Sequence, residues 1–431
     1  MAGRATGIGG FARVAAAGAA DLAGTVASSR AVRATGGGLG VAGVVIAAGL
    51  IAEHRAVRKS RALPDVPDDR RAGPIVGRAT TVIASDGVPL HVVESRSADL
   101  PAVGTALAAH SGVAVGRLFG RPAGSDLGMR PTLVFVHGFC NTADSWCFQQ
   151  RALADLGPMV FYDQRAHGRS GPSEVARCTI DQLADDLYAV LEACAPSGPI
   201  VLIGHSMGGM TILGLAAKHP ELFAQRVVAA ALLSTSAGDL ARVTFGLPAG
   251  VSAAVRRVLP GLAVGMRHAP PLLERARRRG SDLAYSITRW VGFGTTDVPP
   301  SVVSFLEGEI ASTPIPVVMS FLPTLLDHDK LAAAAVLRNV PTLLMVGDHD
   351  LMTPLAHSRT LADALPAAEL AVEEGAGHAL PLERPDAVNE RIRALVGRAR
   401  PTGVTRRPPP WRRRPASWPE PDVRASDADT G

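Results

Sequence analysis

Five short runs of continuous apolar residues constrain the fold of this 431-residue chain more than any other feature. Such runs are typical of strands buried on both faces of a parallel sheet. Helical patterns lie between them, and strands that alternate with helices indicate a mostly parallel sheet covered by helices on both faces. We therefore predict an α/β fold. The five runs are Thr132–Val136, Met159–Tyr162, Ile200–Ile203, Val227–Leu233 and Thr342–Val346.

Local signals place the other elements of the predicted domain. Thr179 and Gln182 form a capping-box pattern, and apolar residues follow them at helical spacing. A second helix is predicted over Met207–Lys218 and a third over Pro354–Leu365, where proline in the first turn costs no hydrogen bond. Two strands joined by a tight turn are predicted upstream, over Thr80–Ala84 and Pro89–Glu94.

Composition divides the chain into three parts. Residues 1–72 form an Ala/Gly/Arg-rich leader that ends in a Pro/Asp-rich linker, and residues 73–400 form the folded domain. Residues 401–431 are a Pro/Arg-rich tail that is predicted to be disordered. Within the domain, residues 236–338 interrupt the alternation and predict a helical cap inserted between two strands. Residues 97–130 are Gly/Ala-rich and predict a surface insertion.

The leader contains an apolar run at residues 36–52, which is short for a membrane span of about 20 residues. A basic cluster follows at Arg55–Arg61, whereas a cleavable signal peptide carries its charge before the apolar run. This order favours a weak signal anchor or a membrane-associated helix, with the main domain on the cytoplasmic side. A disordered or loosely packed leader and a cleaved signal peptide remain open alternatives.

Charge and cysteine content exclude other classes of protein. The net charge is +5, but much of the basic excess lies near the two ends. The middle of the chain has no interleaved basic and aromatic pattern, so no nucleic-acid partner is predicted. Four cysteines without paired CxxC spacing favour free thiols over a structural zinc site, and no metal site is predicted. The cysteines are Cys140, Cys147, Cys178 and Cys194.

The segment Gly204-His-Ser-Met-Gly208 follows a predicted strand and begins a predicted helix. This is the context of a nucleophile elbow, in which a strained turn exposes the central serine. Side chains at positions 204 and 208 would collide in such a turn, so both must be glycine. The sequence therefore predicts Ser206 as a nucleophile.

His137-Gly-Phe139 directly follows another buried strand. At the same edge of the sheet, the backbone N–H groups of Phe139 and Met207 can converge on one point. Two such donors would form an oxyanion hole for a tetrahedral intermediate. His137 is interpreted as a structural residue that orders this loop.

Polar residues downstream follow the last apolar run. Gly347-Asp-His-Asp350 ends the strand, and Gly377-His378 lies in a later loop. A carboxylate there would orient an imidazole that accepts the proton of Ser206. Asp348 and Asp350 both compete for the acidic role.

These motifs, in this order, resemble the α/β-hydrolase superfamily, in the branch of bacterial esterases, lipases and cofactor-free haloperoxidase-like enzymes. The segment Tyr162–Gly171 adds a fifth motif, Asp-x-Arg-x-x-Gly-x-Ser, and the likeness extends over about residues 80–400. The composition is similar to that of high-GC bacterial proteins. The resemblance implies a Ser206, Asp350, His378 triad, because the family's spacing favours Asp350 over Asp348. The insertion at 97–130 departs from the family pattern.

Serine at the elbow implies acyl transfer, whereas epoxide hydrolases and haloalkane dehalogenases of this fold carry aspartate there. The expected activity is hydrolysis of carboxylic esters with a hydrophobic acyl group, on a small-molecule or lipid-like substrate and without a cofactor. Acyl transfer, C–C bond hydrolysis or perhydrolysis on the same triad is the alternative, and a non-catalytic binding relative is a further one.

Neighbouring polar residues are given structural roles. His205 is expected to point away from the reacting hydroxyl, and Arg165 and His167 are expected to brace the loop after the fourth predicted strand. Glu383 is predicted to cap the last helix. His349 and His357 are predicted to be exposed near the acid.

Overall fold

The computed structural model describes residues 57, 60–67, 71–100, 130–244, 282–295 and 297–399. Within these residues, the five apolar runs and the two upstream segments form strands to within about two residues of the predicted bounds, whereas the strand at Glu369–Glu373 is not predicted from the sequence. The five runs form strands because they are apolar and buried on both faces. The strands are β1 (Arg78–Ile83), β2 (Pro89–Ser95), β3 (Thr132–Val136), β4 (Met159–Tyr162), β5 (Ile200–His205), β6 (Val227–Leu233), β7 (Thr342–Gly347) and β8 (Glu369–Glu373).

The described strands form one sheet in the order β1-β2-β4-β3-β5-β6-β7-β8. β2 pairs antiparallel with both β1 and β4, and every other pair of neighbours is parallel. The prediction of an α/β fold with a mostly parallel sheet is therefore confirmed. The carboxyl ends of β3, β5 and β7 meet at one edge of this sheet, which is where the predicted site residues lie.

Helices cover both faces of the sheet. One buried cluster joins the sheet to α2, α3 and α8, and a second joins its other face to α1 and α10. The described helices are α1 (Cys147–Leu153), α2 (Ile180–Cys194), α3 (Met207–Lys218), α4 (Pro220–Gln225), α5 (Asp282–Gly292), α6 (Pro300–Ser312), α7 (Ile315–Leu326), α8 (Leu355–Ala364), α9 (Leu380–Glu383) and α10 (Pro385–Arg398).

The start of α2 realises half of the predicted capping box. Thr179 Oγ1 accepts a hydrogen bond from Gln182 N at 3.1 Å, as a capping threonine does. The Gln182 side chain does not return the bond to Thr179 and instead accepts from Arg177 Nη1 at 3.1 Å. Thr179 alone therefore caps this end of the helix.

The described part of the predicted cap contains α5, α6 and α7, followed by a 3-10 segment over Leu331–Asn339. Among the described residues, no single helix combines the length and the apolar composition that crossing a membrane requires. Taken together, α6 and α7 have the required length and apolar composition, but the chain bends by 91° between them. The predicted anchor at 36–52, the tail at 401–431 and most of the insertion at 97–130 lie outside the described residues.

The described end of the leader packs on the cap, which its linker-like composition does not predict. Val57 is buried in one cluster with Tyr285 of α5. Ser60 Oγ lies 3.1 Å from the Tyr285 hydroxyl, and the Arg61 guanidinium lies 4.9 Å from the centre of the Tyr285 ring. Asp65 also accepts a hydrogen bond from the Ser301 hydroxyl at 2.5 Å. These contacts tie part of the leader to the cap.

Candidate active site

Ser206 occupies the sharp turn between β5 and α3. Its backbone has φ 52° and ψ −119°, a left-handed conformation that costs a non-glycine residue about 1–3 kcal/mol. A Cβ at Gly204 would lie 2.6 Å from the carbonyl carbon of Gly208, and a Cβ at Gly208 would lie 2.0 Å from the oxygen of Val136. Only glycine fits at both positions, as the spacing of the elbow predicts.

The side chains of Ser206, His378 and Asp350 form one chain of hydrogen bonds. Ser206 Oγ lies 3.0 Å from His378 Nε2, and His378 Nδ1 lies 2.9 Å from Asp350 Oδ2. All three residues are more than nine-tenths buried. The three residues are separated by 144 and 28 positions in the sequence, and the structure brings their side chains together.

Asp350 is held by the turn that follows β7. Its Oδ1 accepts the N–H groups of Met352 and Thr353, and its Oδ2 accepts the Thr353 hydroxyl at 2.9 Å. Burial alone would raise the pKa of this carboxyl, but the charge of His378 and the hydrogen bonds of His378 and Thr353 hold that pKa below its usual value. Asp350 therefore stays ionised beside the imidazole.

Asp348 lies apart from the imidazole. Its side chain is exposed and accepts the N–H of Gly375 at 2.7 Å. Of the two aspartates that compete in the sequence, only Asp350 contacts His378.

The loop after β3 lies directly against the elbow. A Cβ at Gly138 would lie 3.2 Å from Ser206 Cβ, so the loop passes within contact distance of the serine. Within the described part of the chain, neither Phe139 N–H nor Met207 N–H donates to a protein acceptor. Both donors are therefore available to a ligand beside Ser206.

His137 orders this loop, as the sequence predicts. Its Nε2 accepts the backbone N–H of Gln164 at 2.8 Å, so the ring proton is on Nδ1, which donates to the Gly138 carbonyl at 2.7 Å. Burial lowers the pKa of His137 and keeps the ring neutral.

His205 has a structural role as well. Its Nε2 lies 2.9 Å from the His378 carbonyl oxygen, which anchors the loop of His378 to the elbow. Burial, followed by the charge of His378, lowers the pKa of His205 to about 3, so the ring is neutral.

Arg165 braces the loop after β4 from a fully buried position. Its guanidinium donates to both oxygens of Asp186 at 2.6 Å and to both oxygens of Asp86 at 2.8 and 3.0 Å. Burial alone would lower the pKa of Arg165, but these hydrogen bonds raise it above its usual value. His167 is also buried, and its Nδ1 lies 2.9 Å from the Arg165 carbonyl oxygen.

Two predictions about neighbouring residues are wrong. Glu383 does not cap the last helix: its carboxylate turns inward and accepts the N–H groups of Gly377 at 2.6 Å and Gly294 at 3.0 Å. It therefore holds the residue before His378 and joins it to the cap. His357 is half-buried rather than exposed, because its Nδ1 lies 2.8 Å from the Ser236 hydroxyl, whereas His349 is exposed as predicted.

An apolar cluster lies beside the two free N–H groups. Phe321 of α7 is fully buried, and its ring centre lies 6.2 Å from that of Phe139 and 5.3 Å from that of His167. Met207 and Met210 belong to the same cluster. The cap thus places an aromatic side chain against the residues that carry the predicted oxyanion donors.

No group of three or more His, Cys, Asp or Glu side chains is arranged to hold a metal ion in the described ranges. All four cysteines are free thiols, and three of them are buried. Burial raises the pKa of Cys147 and of Cys178, which makes both thiols less reactive.

The sequence profile of the alpha/beta hydrolase fold matches residues 131–385, which is more than half of the chain. The chain belongs to this family. The mostly parallel sheet described above agrees with this fold, so the fold prediction and the resemblance in the sequence are both confirmed.

Individual relatives are distant. A 3-oxoadipate enol-lactonase of Acinetobacter baylyi is 26% identical over 272 residues, which are 62% of this chain and 90% of that protein. A dihydrolipoyllysine-residue acetyltransferase component of an acetoin cleaving system, from Pseudomonas putida, is 26% identical over 264 residues, which are 61% of this chain and 63% of that protein.

A solved structure of a thermophilic esterase from Thermogutta terrifontis is 21% identical, with a TM-score of 0.53. The match covers 75% of this chain and 99% of the esterase. At this identity, the likeness supports the fold alone. Membership of this family supports a hydrolase activity for the chain.

Proposed function

We propose that this protein is a serine hydrolase of carboxylic esters, with Ser206 as nucleophile, His378 as general base and Asp350 as the acid that orients the imidazole. The observation that carries the proposal is the continuous hydrogen-bonded chain from Ser206 Oγ through His378 to Asp350 at a strained elbow. A 3-oxoadipate enol-lactonase among the relatives of this chain is consistent with this chemistry.

The proposed reaction follows from the position of each proton. His378 Nδ1–H donates to Asp350, which leaves Nε2 free to accept the proton of Ser206. Ser206 Oγ attacks the acyl carbon, and His378 then protonates the departing alcohol. Water attacks the acyl-enzyme and gives a proton to His378. The bond from the acyl carbon to Ser206 Oγ then breaks, His378 returns the proton to Ser206, and the carboxylic acid leaves. No cofactor takes part in these steps.

The N–H groups of Phe139 and Met207 are the proposed oxyanion donors. Each lies on a residue next to the elbow and has no protein acceptor within the described ranges. Gly138 keeps the first donor close to Ser206, because any side chain at that position would strike the serine or His205. Such fixed donors stabilise the charge that develops on the carbonyl oxygen in the transition state.

A preference for hydrophobic acyl groups is proposed from the cluster beside the oxyanion donors. Phe139, which carries the first proposed donor, is half-buried and packs in one cluster with the fully buried side chains of Met207 and Phe321. Each buried methylene contributes about 0.8 kcal/mol, so four extra carbons would raise kcat/KM about tenfold even if half of that energy were lost.

The experiment combines active-site labelling with a panel of p-nitrophenyl esters from acetate to decanoate. A fluorophosphonate probe is expected to label the wild type and Ser304→Ala, whose serine is exposed on α6, but not Ser206→Ala. Ester turnover by Ser206→Ala is expected to fall by a factor of about 10⁴–10⁶. Retention of more than a tenth of the wild-type rate would contradict the role of Ser206.

The same panel separates the alternative activities. Release of p-nitrophenol with formation of the free acid supports ester hydrolysis, whereas transfer of the acyl group to an added alcohol, thiol or peroxide supports acyl transfer or perhydrolysis. Labelling without turnover of any ester would favour C–C bond hydrolysis, and neither labelling nor turnover would favour a binding relative. Rates that peak at acetate and fall with chain length would contradict the apolar acyl site.

Membrane association through residues 36–52 remains a separate proposal. Its test is fractionation of the full-length protein against a variant that lacks residues 1–56. That boundary keeps Val57 and Ser60 on the cap, where both contact Tyr285 or its cluster. Equal distribution of the two proteins between membrane and supernatant would contradict the anchor.

A further inference from the structure

Glu309 is a buried carboxylate of the cap that the proposed chemistry does not use. It lies on α6, and only 7% of its surface is exposed. Within the described residues its hydrogen-bond partners are neutral groups, and no cationic side chain lies within ion-pair distance. A buried carboxylate without a cation is costly, so its hydrogen bonds must account for its position.

The partners of Glu309 all belong to the loop after β3. Glu309 Oε2 accepts Thr142 N–H at 3.0 Å, and Oε1 accepts the Thr142 hydroxyl at 2.5 Å. The Asn141 side-chain amide lies 3.5 Å from Oε2. One residue of the cap therefore holds two consecutive residues of the loop that carries Phe139.

This loop makes a tight turn between its two fixed ends. Cys140 adopts a left-handed conformation with φ 58°, and Asn141 N–H donates to the Gly138 carbonyl at 3.1 Å. His137 fixes one end through Gln164, and Glu309 fixes the other through Thr142. Phe139 lies within the turn, between these two ends.

We propose that Glu309 is a positioning residue that couples the docking of α6 to the oxyanion hole. When α6 is docked, the Glu309 carboxylate holds Thr142, and the turn aims Phe139 N–H at the position of the oxyanion. When α6 moves away, the turn loses that restraint. The proposal rests on the proposed esterase function. It makes the cap part of the catalytic geometry as well as the wall of the substrate site.

The surroundings of Glu309 raise the pKa of its carboxyl group. Burial raises its pKa to about 7, hydrogen bonds from Thr142 lower it, and the nearby carboxylates of Asp144 and Asp163 raise it further. Arg169 pairs with both of those aspartates and offsets part of their charge.

The test compares Glu309→Ala and Glu309→Gln with Asp327→Asn in the full-length protein. Asp327 is exposed at the end of α7, so the control makes the same carboxylate-to-amide change on the surface of the cap. Loss of one oxyanion donor typically costs 10²–10³-fold in kcat. A misaimed donor should cost less: we expect Glu309→Ala to lower kcat about 10–100-fold on a short p-nitrophenyl ester, with KM within about twofold of wild type.

The readout that separates positioning from simple stability is the affinity for a trifluoromethyl ketone, whose hydrated adduct places an oxyanion in the hole. Its inhibition constant should rise by the same factor as kcat/KM falls. Glu309→Gln, which retains one acceptor for Thr142, should fall between wild type and Glu309→Ala. Asp327→Asn should match wild type in both measurements.

Several outcomes would overturn the proposal. Unchanged kcat and inhibitor affinity in Glu309→Ala, with or without a lower melting temperature, would leave Glu309 a purely structural residue. If Glu309→Ala does not fold, Glu309→Gln and Thr142→Val decide the question, and additive effects in the double variant would count against coupling. A wild type without ester turnover or Ser206 labelling would instead refute the proposed function itself.

Discussion

Replacement of Asp350 by asparagine is the perturbation with the clearest expected effect on activity. In the wild type, Asp350 Oδ1 accepts two backbone N–H groups, and Oδ2 lies 2.9 Å from both the Thr353 hydroxyl and His378 Nδ1. An asparagine that keeps the two backbone bonds through its oxygen must place its amide NH₂ at the position of Oδ2. That group donates, so it faces His378 Nδ1 as a donor.

The consequence is a change of tautomer. With an N–H donor facing it, Nδ1 must give up its proton, and the proton moves to Nε2, which lies 3.0 Å from Ser206 Oγ. Nε2 then donates to the serine and no longer accepts its proton. Loss of the orienting carboxylate in a serine triad lowers kcat by a factor of about 10⁴, or about 5.5 kcal/mol at 1.36 kcal/mol per tenfold change.

The assay is the initial rate of p-nitrophenyl ester hydrolysis, with the melting temperature as a check of folding. Asp348→Asn is the matched control, since Asp348 is exposed and accepts a single hydrogen bond from Gly375 N–H. We expect it to stay within about threefold of the wild-type rate. If Asp350→Asn keeps more than a tenth of the activity, or Asp348→Asn loses more than Asp350→Asn, the assignment of the acid is refuted.

Two further predictions concern stability. Asp186→Asn leaves the fully buried Arg165 with Asp86 as its one charged partner among the described residues, so the free energy of unfolding should fall by about 3 kcal/mol in urea denaturation. Asp185→Asn is the control, because its partly exposed carboxylate pairs with Lys218, and it should change that free energy by less than about 1 kcal/mol. Equal effects of the two variants would contradict the buried ion pair. The pKa of Glu309 is raised from 4.5 to about 7 in the folded protein, so the free energy of unfolding of the wild type falls as pH rises through that interval. Between pH 4.5 and 7.5, the free energy of unfolding of Glu309→Gln should therefore increase by about 3 kcal/mol relative to that of the wild type. A difference between the two proteins that does not vary with pH would refute the shift.

The sequence predicts those parts of the site that depend on local geometry. The elbow requires glycine at positions 204 and 208 because the neighbouring atoms belong to the same strand, turn and helix or to the adjacent strand. The strands follow from continuous apolar runs, and the acid and the base follow from their places after β7 and in a later loop, once the family's chain order is known. Each of these inferences uses residues whose relative positions a parallel sheet fixes.

The residues that sequence reasoning misplaced or missed depend on contacts that no spacing encodes. Glu383 lies just before the last helix, which begins at Pro385, and this position suggests a helix cap. Its carboxylate instead accepts the N–H groups of Gly377 and Gly294, because buried N–H groups need an acceptor. Glu309 lies 167 residues from Thr142 in a helix with no distinctive motif. Such partners become visible only when the cap has been placed against the sheet.

Three buried carboxylates hold the loops of the site, and two of them also attach the cap to these loops. Asp350 holds the turn after β7, Glu383 holds the loop of His378 against Gly294 of the cap, and Glu309 extends from the cap to Thr142 beside the oxyanion loop. The cap is thus attached on the side of the base and on the side of the oxyanion donors. A cap exchanged to alter substrate preference must therefore retain an acceptor for Thr142 and backbone donors for Glu383. A replacement cap that preserves only the apolar surface would leave Ser206 and Asp350 in place but release the two loops that carry His378 and Phe139.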